Sequence, residues 1–264
     1  MYDDFETKTS YKYLKIVINA LKEPICILGG WAVYFHVNDN FNAAQGRDYL
    51  GSRDIDLGFH LPQKSTETQL KESALAQSLN ILQKDFGFKA VSFRLVKDIH
   101  TERGTEIQEK EYVPAYFRFP MYVDPIVDFI PKNFKQVFGF QPVDEPMLKL
   151  VFEKPEYRAE LKGFDRKLLL PKPEILIATK LNSIKNRDKE HKKIKDLCDM
   201  FALLWYSDEQ ADKLKFAVKK IIPEHEIKQK LSVITIEDIR KAAHALNHSA
   251  EEINKVVLEG WDNG

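Results

Sequence analysis

Asp54 and Asp56 stand one residue apart in the stretch Arg53-Asp54-Ile55-Asp56-Leu57. In a strand, alternate side chains share a face, so both carboxylates would point one way while Ile55 and Leu57 point into a core. Two hard oxygen donors on one face suit a divalent cation. Magnesium in particular takes one or two protein carboxylates and completes its shell from substrate phosphates. Upstream, Ile25-Cys26-Ile27-Leu28-Gly29-Gly30-Trp31-Ala32 combines a short apolar run, a glycine pair and a helix start. With no Cβ at Gly29 or Gly30, a phosphate can approach the backbone closely, and the amides of the helix that follows would point at it. Ser52, just before the Arg53-Asp54 pair, either bonds a phosphate or caps the strand. Asp-x-Asp alone describes equally well an edge strand with two solvent-facing acids. The glycine pair upstream tips the reading toward triphosphate chemistry.

The elements that must position these residues follow from periodicity. Tyr13, Leu14, Val17, Ile18 and Leu21 recur at helical spacing and predict a helix over 10–22, ended by Pro24. A strand over 25–28 feeds a helix over 31–37, and the Asn-, Gln- and Gly-rich stretch 38–51 reads as an insertion between helix and strand. A strand over 54–60, a helix over 66–84, a strand over 89–97, a polar loop over 98–110 and an aromatic strand over 112–119 come next. The stretch 122–130 is a further strand, with Asp124 and Asp128 on one face by parity. From 131 to 167 the chain reads as short strands and turns broken by prolines. Composition then turns almost wholly helical, over 174–185, 189–206, 208–219, 236–246 and 250–258. These shifts divide the chain into domains 1–167 and 168–264.

A glycine pair at a strand-to-helix turn, followed by Asp-hydrophobic-Asp on the next strand, resembles the active-site signature of the DNA polymerase beta-like nucleotidyltransferase superfamily. The chain is most similar there to small prokaryotic enzymes of the abortive-infection toxin type. These often read Gly-Gly-x-Ala and then Ser-x-Asp-Ile-Asp-Leu, matched by Gly29-Gly30-Trp31-Ala32 and Ser52-Arg53-Asp54-Ile55-Asp56-Leu57. The separation of Gly30 from Asp54 is longer than is typical of the superfamily. The likeness covers residues 25–60, 120–130 and 168–205.

The resemblance implies an α+β fold, a mixed twisted sheet flanked by helices and followed by a helical C-terminal domain. It implies metal-dependent transfer of a nucleoside monophosphate from a nucleoside triphosphate to an acceptor, with Mg2+ or Mn2+ held by Asp54, Asp56 and a third carboxylate from a later strand. Asp128, in Val127-Asp128-Phe129-Ile130, matches that third position; Asp124 ranks second because Pro125 beside it removes a ladder donor. Gly29, Gly30 and Ser52 would cradle the β- and γ-phosphates, assisted by Arg53 and by Lys180. The segment from Leu176 through Lys180 and Arg187 to Lys195-Asp196-Leu197-Cys198-Asp199 resembles the one that follows the catalytic domain in these enzymes. A lysine held by a carboxylate is a positioned point charge, so Asp196 and Asp199 would orient Lys180. Equally, Asp196 and Asp199 pair with Lys192, Lys193 or Lys195 at helical spacing.

Forty basic and forty acidic residues cancel, so no global field draws in nucleic acid, and the basic run 185–195 offers a local patch that could meet phosphates. The acceptor implied by the resemblance is a tRNA 3′ end, a protein side chain or a small hydroxylated molecule, and a toxin of this type would have an antitoxin partner. The alternative is a nucleotide-binding regulator of the same fold without turnover. The acidic start of the chain has no apolar region of the signal-peptide kind, and no run reaches the length of a membrane span. Cys26 and Cys198 read as buried reduced thiols, and the expected location is cytoplasmic. His244 and His248 share a helix face without a third acidic ligand for zinc, while His36 and His60 flank the candidate site.

Overall fold

The computed structural model describes residues 4–161, 164 and 166–262. They divide into two compact units, one built from Tyr2–Trp31 and Gly51–Pro171, the other from Ala32–Leu50 and Lys172–Gly264.

The first unit is a mixed sheet with helices. Its strands are β1 (Cys26–Ile27), β2 (Asp54–Phe59), β3 (Lys89–Val91), β4 (Arg94–His100), β5 (Arg118–Val127), β6 (Val143–Asp144), β7 (Arg158–Leu161) and β8 (Leu168–Pro171). They hydrogen-bond in the order β3-β4-β5-β2-β1-β8-β7, with β6 against the far end of β5. The β2–β5 and β1–β8 pairs are parallel, whereas β1–β2, β3–β4, β4–β5 and β7–β8 are antiparallel. Helix α1 (Asp4–Ala20) buries Leu14, Val17 and Ile18 and packs on β2 and β5. Its face of the sheet carries Ile55, Leu57 and Val123, all fully buried. Each of these aliphatic side chains contributes about 1.5–3 kcal/mol when taken out of water, which holds the two central strands rigidly under the opposite face.

Helix α2 (Gly29–Gln45) begins in this unit and has its residues from Ala32 onward in the other. The stretch read as an insertion is therefore helical to Gln45. Phe41 is fully buried, and Tyr49 N–H donates to Asn38 Oδ1, so the polar composition of 38–51 serves helix ends and turns rather than an open loop. The single helix expected over 66–84 breaks into α3 (Glu67–Glu72) and α4 (Ala74–Lys84), because Ser73 takes an extended conformation and its hydroxyl accepts the Ala76 N–H. The stretch 131–167, read as short strands and turns, also holds helices α5 (Phe134–Phe138) and α6 (Leu148–Glu153).

The second unit is helical. It contains α7 (Pro173–Ile184), α8 (Glu190–Tyr206), α9 (Ala211–Lys219), α10 (Glu224–Leu231), α11 (Ile236–Leu246) and α12 (Ala250–Leu258). Helix α8 is buried without interruption from Ile194 to Leu204, and α7, α9, α11 and α12 pack around it. A helix buried on all sides is the core of its unit. Strand β8 pairs with both β1 and β7 and so stays with the first unit up to Pro171. No helix among the described residues is long and apolar enough to cross a membrane.

Candidate active site

Strand β2 alternates as its sequence requires: Ile55 and Leu57 are fully buried, and Asp54 and Asp56 emerge on the other face. The parallel neighbour β5 sets Tyr122 opposite Asp54 and Asp124 opposite Asp56. Register partners on adjacent strands share a face, so Asp124 joins the pair.

The glycine turn lies directly against these acids. Gly29 has φ +60°, and a Cβ built on it would sit 1.8 Å from Asp56 Oδ2. Only glycine allows both that backbone conformation and that approach. Next to it, a Cβ on Gly30 would lie 2.9 Å from the Ser52 Cβ and 3.1 Å from its hydroxyl. Leu28 N–H donates to Asp56 O at 3.0 Å, which ties the turn to β2. The first N–H groups of a helix lack intrahelical partners and carry the positive end of its dipole, so the start of α2 presents donors beside Asp56 and Ser52. On the far side, Leu148 and Leu28 press on Gly58 and close that face of β2 beyond Asp56.

Arg94, at the start of β4, occupies the space between the two strands' acids. Its Nε donates to Asp124 Oδ1 at 2.8 Å, and its Nη2 to Asp124 Oδ2 at 2.5 Å and Asp54 Oδ2 at 3.1 Å. The guanidinium lies 3.9 Å from the centre of the Tyr122 ring. Burial alone would lower the Arg94 pKa, but hydrogen bonds and charge from Asp124, and then Asp54, push it above its ordinary value. Asp54 Oδ1 is buried with no hydrogen-bond partner.

Not every residue expected at the site is on this face. Arg53 pairs with Glu6 at 3.2 Å and lies over the Phe119 ring. Phe119 has the opposite parity from Asp124 on β5, so this guanidinium is on the α1 side of the sheet. Asp128 lies just beyond β5, where its buried carboxylate accepts the Leu61 N–H at 2.8 Å and meets His60 Nδ1 at 2.5 Å. The His60 ring in turn packs on Phe152. Asp128 thus joins the ends of β2 and β5. Pro125, the ground for ranking Asp124 second, falls where β5 changes neighbours: its β4 register ends at Val123 and its β6 register begins at Ile126.

Lys180 belongs to the helical unit, in a buried ion cluster. It contacts Asp196 Oδ1 and Asp199 Oδ2, both at 2.7 Å, while Lys195 meets Asp199 Oδ1 and Arg187 meets Asp196 Oδ2, each at 2.5 Å. Tyr49 donates its hydroxyl to Asp199 at 2.7 Å. Burial works against charge on Lys180, yet the two aspartates outweigh it and raise its pKa; the same neighbours, Lys180 and Arg187, hold Asp196 below the usual carboxylate range against its own burial. Burial, reinforced by Asp199, pushes the Tyr49 phenol well up.

The donor set on the sheet fits a divalent cation of the magnesium type. An orphaned carboxylate oxygen on Asp54, an approach to Asp56 kept open by Gly29, and a guanidinium already seated among the acids all mark a place where positive charge is wanted. Among the described residues no three His, Cys, Asp or Glu converge as an all-protein cage. The protein would then supply two carboxylates and the substrate the rest. Arg94 and Asp124 are the two functional candidates that the sequence reading left out or ranked lower. The parity of Asp124 with Asp128 was visible, but register with Asp56 was not.

No protein-family model matches the chain, and no curated protein matches it. Among solved structures, the chain is similar to an antigenic nucleotidyltransferase-like protein from Paracoccidioides brasiliensis. The two are 16% identical, with a TM-score of 0.43 and 98% of each chain covered.

Proposed function

We propose that the chain is a nucleotidyltransferase, moving a nucleoside monophosphate from a nucleoside triphosphate to an acceptor with pyrophosphate leaving. The observation that carries this reading is the seating of Asp56, in register with Asp124, directly under the Gly29–Gly30 turn. Carboxylates beneath a glycine-rich helix start serve a metal and a phosphate chain at once.

Asp54, through its unpartnered Oδ1, and Asp56 would hold Mg2+ or Mn2+, which supplies neutralisation of phosphate charge and alignment of an in-line displacement. The Gly29 and Gly30 backbone and the Ser52 hydroxyl cradle the β- and γ-phosphates. The resemblance gives Asp128 the third metal position and a share in deprotonating the acceptor; in this reading Asp124, beside Asp56, would take that part and accept the proton of the attacking acceptor hydroxyl. Most of the acceleration comes from positioning and charge, as in phosphoryl transfer generally. Lys180 is held by two buried aspartates, and its first role in this reading is to hold α7 and α8 together.

The resemblance favours a tRNA 3′ end, a protein side chain or a small hydroxylated molecule as acceptor, and a toxin role alongside an antitoxin protein. The test is calorimetric binding of each nucleoside triphosphate with magnesium, followed by pyrophosphate release over a pool of small RNA, protein and metabolites. Asp54→Asn combined with Asp56→Asn should leave folding intact and abolish both; unchanged binding and turnover would overturn the reading. A second reading, a nucleotide-binding regulator without turnover, is favoured by the grip of Arg94 on Asp54 and Asp124. Metal-dependent nucleotide binding with no pyrophosphate release over any acceptor selects it.

A further inference from the structure

We propose that Arg94 is a built-in counter-cation that competes with the divalent metal for Asp54, keeping metal affinity low until a triphosphate gives the guanidinium another anion to bind. This rests on the proposed reading of the carboxylate face and goes beyond it to the order of loading.

Asp56 and Asp124 are register partners on adjacent strands and Asp54 shares their face, and like charges so placed repel. Arg94 answers that repulsion. Both its Nε and its Nη2 engage Asp124, and Nη2 also reaches Asp54. The fork geometry of a guanidinium suits a carboxylate edge-on, and stacking on Tyr122 at 3.9 Å fixes its plane. The two acids are gripped unequally. Asp124 is held through both oxygens at 2.8 and 2.5 Å, Asp54 through Oδ2 alone at 3.1 Å. The weaker grip is on the residue whose Oδ1 stays buried without a partner.

A divalent cation drawn to Asp54 would therefore meet a guanidinium on the same carboxylate. At an effective dielectric suited to a partly buried site, two cations a few ångströms apart repel strongly enough to change affinity by an order of magnitude or more. Guanidinium binds phosphate as readily as carboxylate. An arriving triphosphate offers Arg94 new oxygens, frees Asp54 Oδ2, and adds negative charge for the metal. Metal and nucleotide then bind with positive coupling, and Arg94 is the positioning residue that creates much of it.

Manganese titration followed by electron paramagnetic resonance, with and without a non-hydrolysable nucleoside triphosphate analogue, tests this. The wild-type chain should bind Mn2+ weakly alone and much more tightly with the analogue. Arg94→Gln should bind Mn2+ alone about tenfold more tightly and show correspondingly less gain from the analogue. Adding Asp54→Asn to Arg94→Gln should erase that increase. Arg94→Lys keeps the charge without the fork, should fall between, and serves as the second variant if Arg94→Gln does not fold by circular dichroism. Mn2+ affinity in the Arg94 variants equal to or below wild type, while Asp54→Asn still abolishes binding, overturns the competition and leaves the proposed function standing. Mn2+ binding that is indifferent to Asp54→Asn and Asp56→Asn overturns the proposed function itself.

Discussion

Asp56 and Asp124 are register partners on the parallel strands β2 and β5, and this pairing sets Asp124 beside the candidate site. Asp128, four residues further along, is instead buried against His60 and the Leu61 N–H. Asp124→Asn should reduce turnover by about a hundredfold or more, the size expected for loss of a group that moves a proton in the transition state. Asp128→Asn should leave turnover within about threefold and cost about 1–3 kcal/mol of stability, since it weakens a buried hydrogen-bonded carboxylate. Steady-state pyrophosphate release and urea unfolding on both variants decide between them; the reverse pattern would return the catalytic role to Asp128.

Gly29→Ala forces a side chain into the position of the Asp56 carboxylate, 1.8 Å from Oδ2, at a backbone φ of +60°. Nucleotide binding should be lost, with a stability cost of about 1–2 kcal/mol from the strained backbone and the displaced acid. Gly46→Ala is the control. Its φ is +66° with no atom within 4 Å of an added Cβ, so it should carry the backbone cost alone and leave binding intact. Calorimetry beside denaturant unfolding separates the two effects.

The buried cluster on α7 and α8 predicts large effects of removing one charge. Lys180→Met leaves Asp196 and Asp199 facing each other with less compensation and should cost about 3–5 kcal/mol, the range for breaking a buried ion pair from one side. The acid limb follows from Asp196. Its folded pKa lies below the ordinary value, so its contribution is present above the unfolded aspartate pKa of about 4 and is lost as the pH falls through the lower folded value. Stability measured between pH 5 and pH 2 should therefore fall with acidification in the wild type and depend less on pH in Asp196→Asn. Lys180, raised above the usual lysine value, keeps its contribution at all lower pH and loses it only in strong alkali.

Both cysteines are buried and unpaired in a disulfide. Burial raises the Cys26 thiol far above its ordinary value and, with a smaller opposing effect from Lys195, takes Cys198 to about 12. The thiolate is the reactive form, so the native protein at pH 8 should resist alkylation by iodoacetamide, and both positions should label together when the chain is unfolded. Rapid labelling of either in the folded state would contradict this burial.

Much of the site was legible because it depends on neighbours in sequence. Period-two alternation put Ile55 and Leu57 in the core and Asp54 and Asp56 together, and an apolar run feeding Gly-Gly marked the strand-to-helix turn. The helical C-terminal part was likewise written in local periodicity, apart from α10, a short helix with only Ile227 and Leu231 apolar among its eight residues. What stayed hidden depends on pairing. The stretch read as one strand over 89–97 is a hairpin turning at Ser92, whose φ of +57° is rare for a residue with a side chain. That turn folds β4 back beside β5 and delivers Arg94 to Asp124, a partner thirty residues away. The parity of β5 allowed Asp124 or Asp128, and the side of the sheet taken by Arg53 was open. Only the register with β2 puts Asp124 opposite Asp56, and only the packing of α1 puts Arg53 on its side of the sheet, because strand partners are chosen by contacts between distant segments that no local pattern contains.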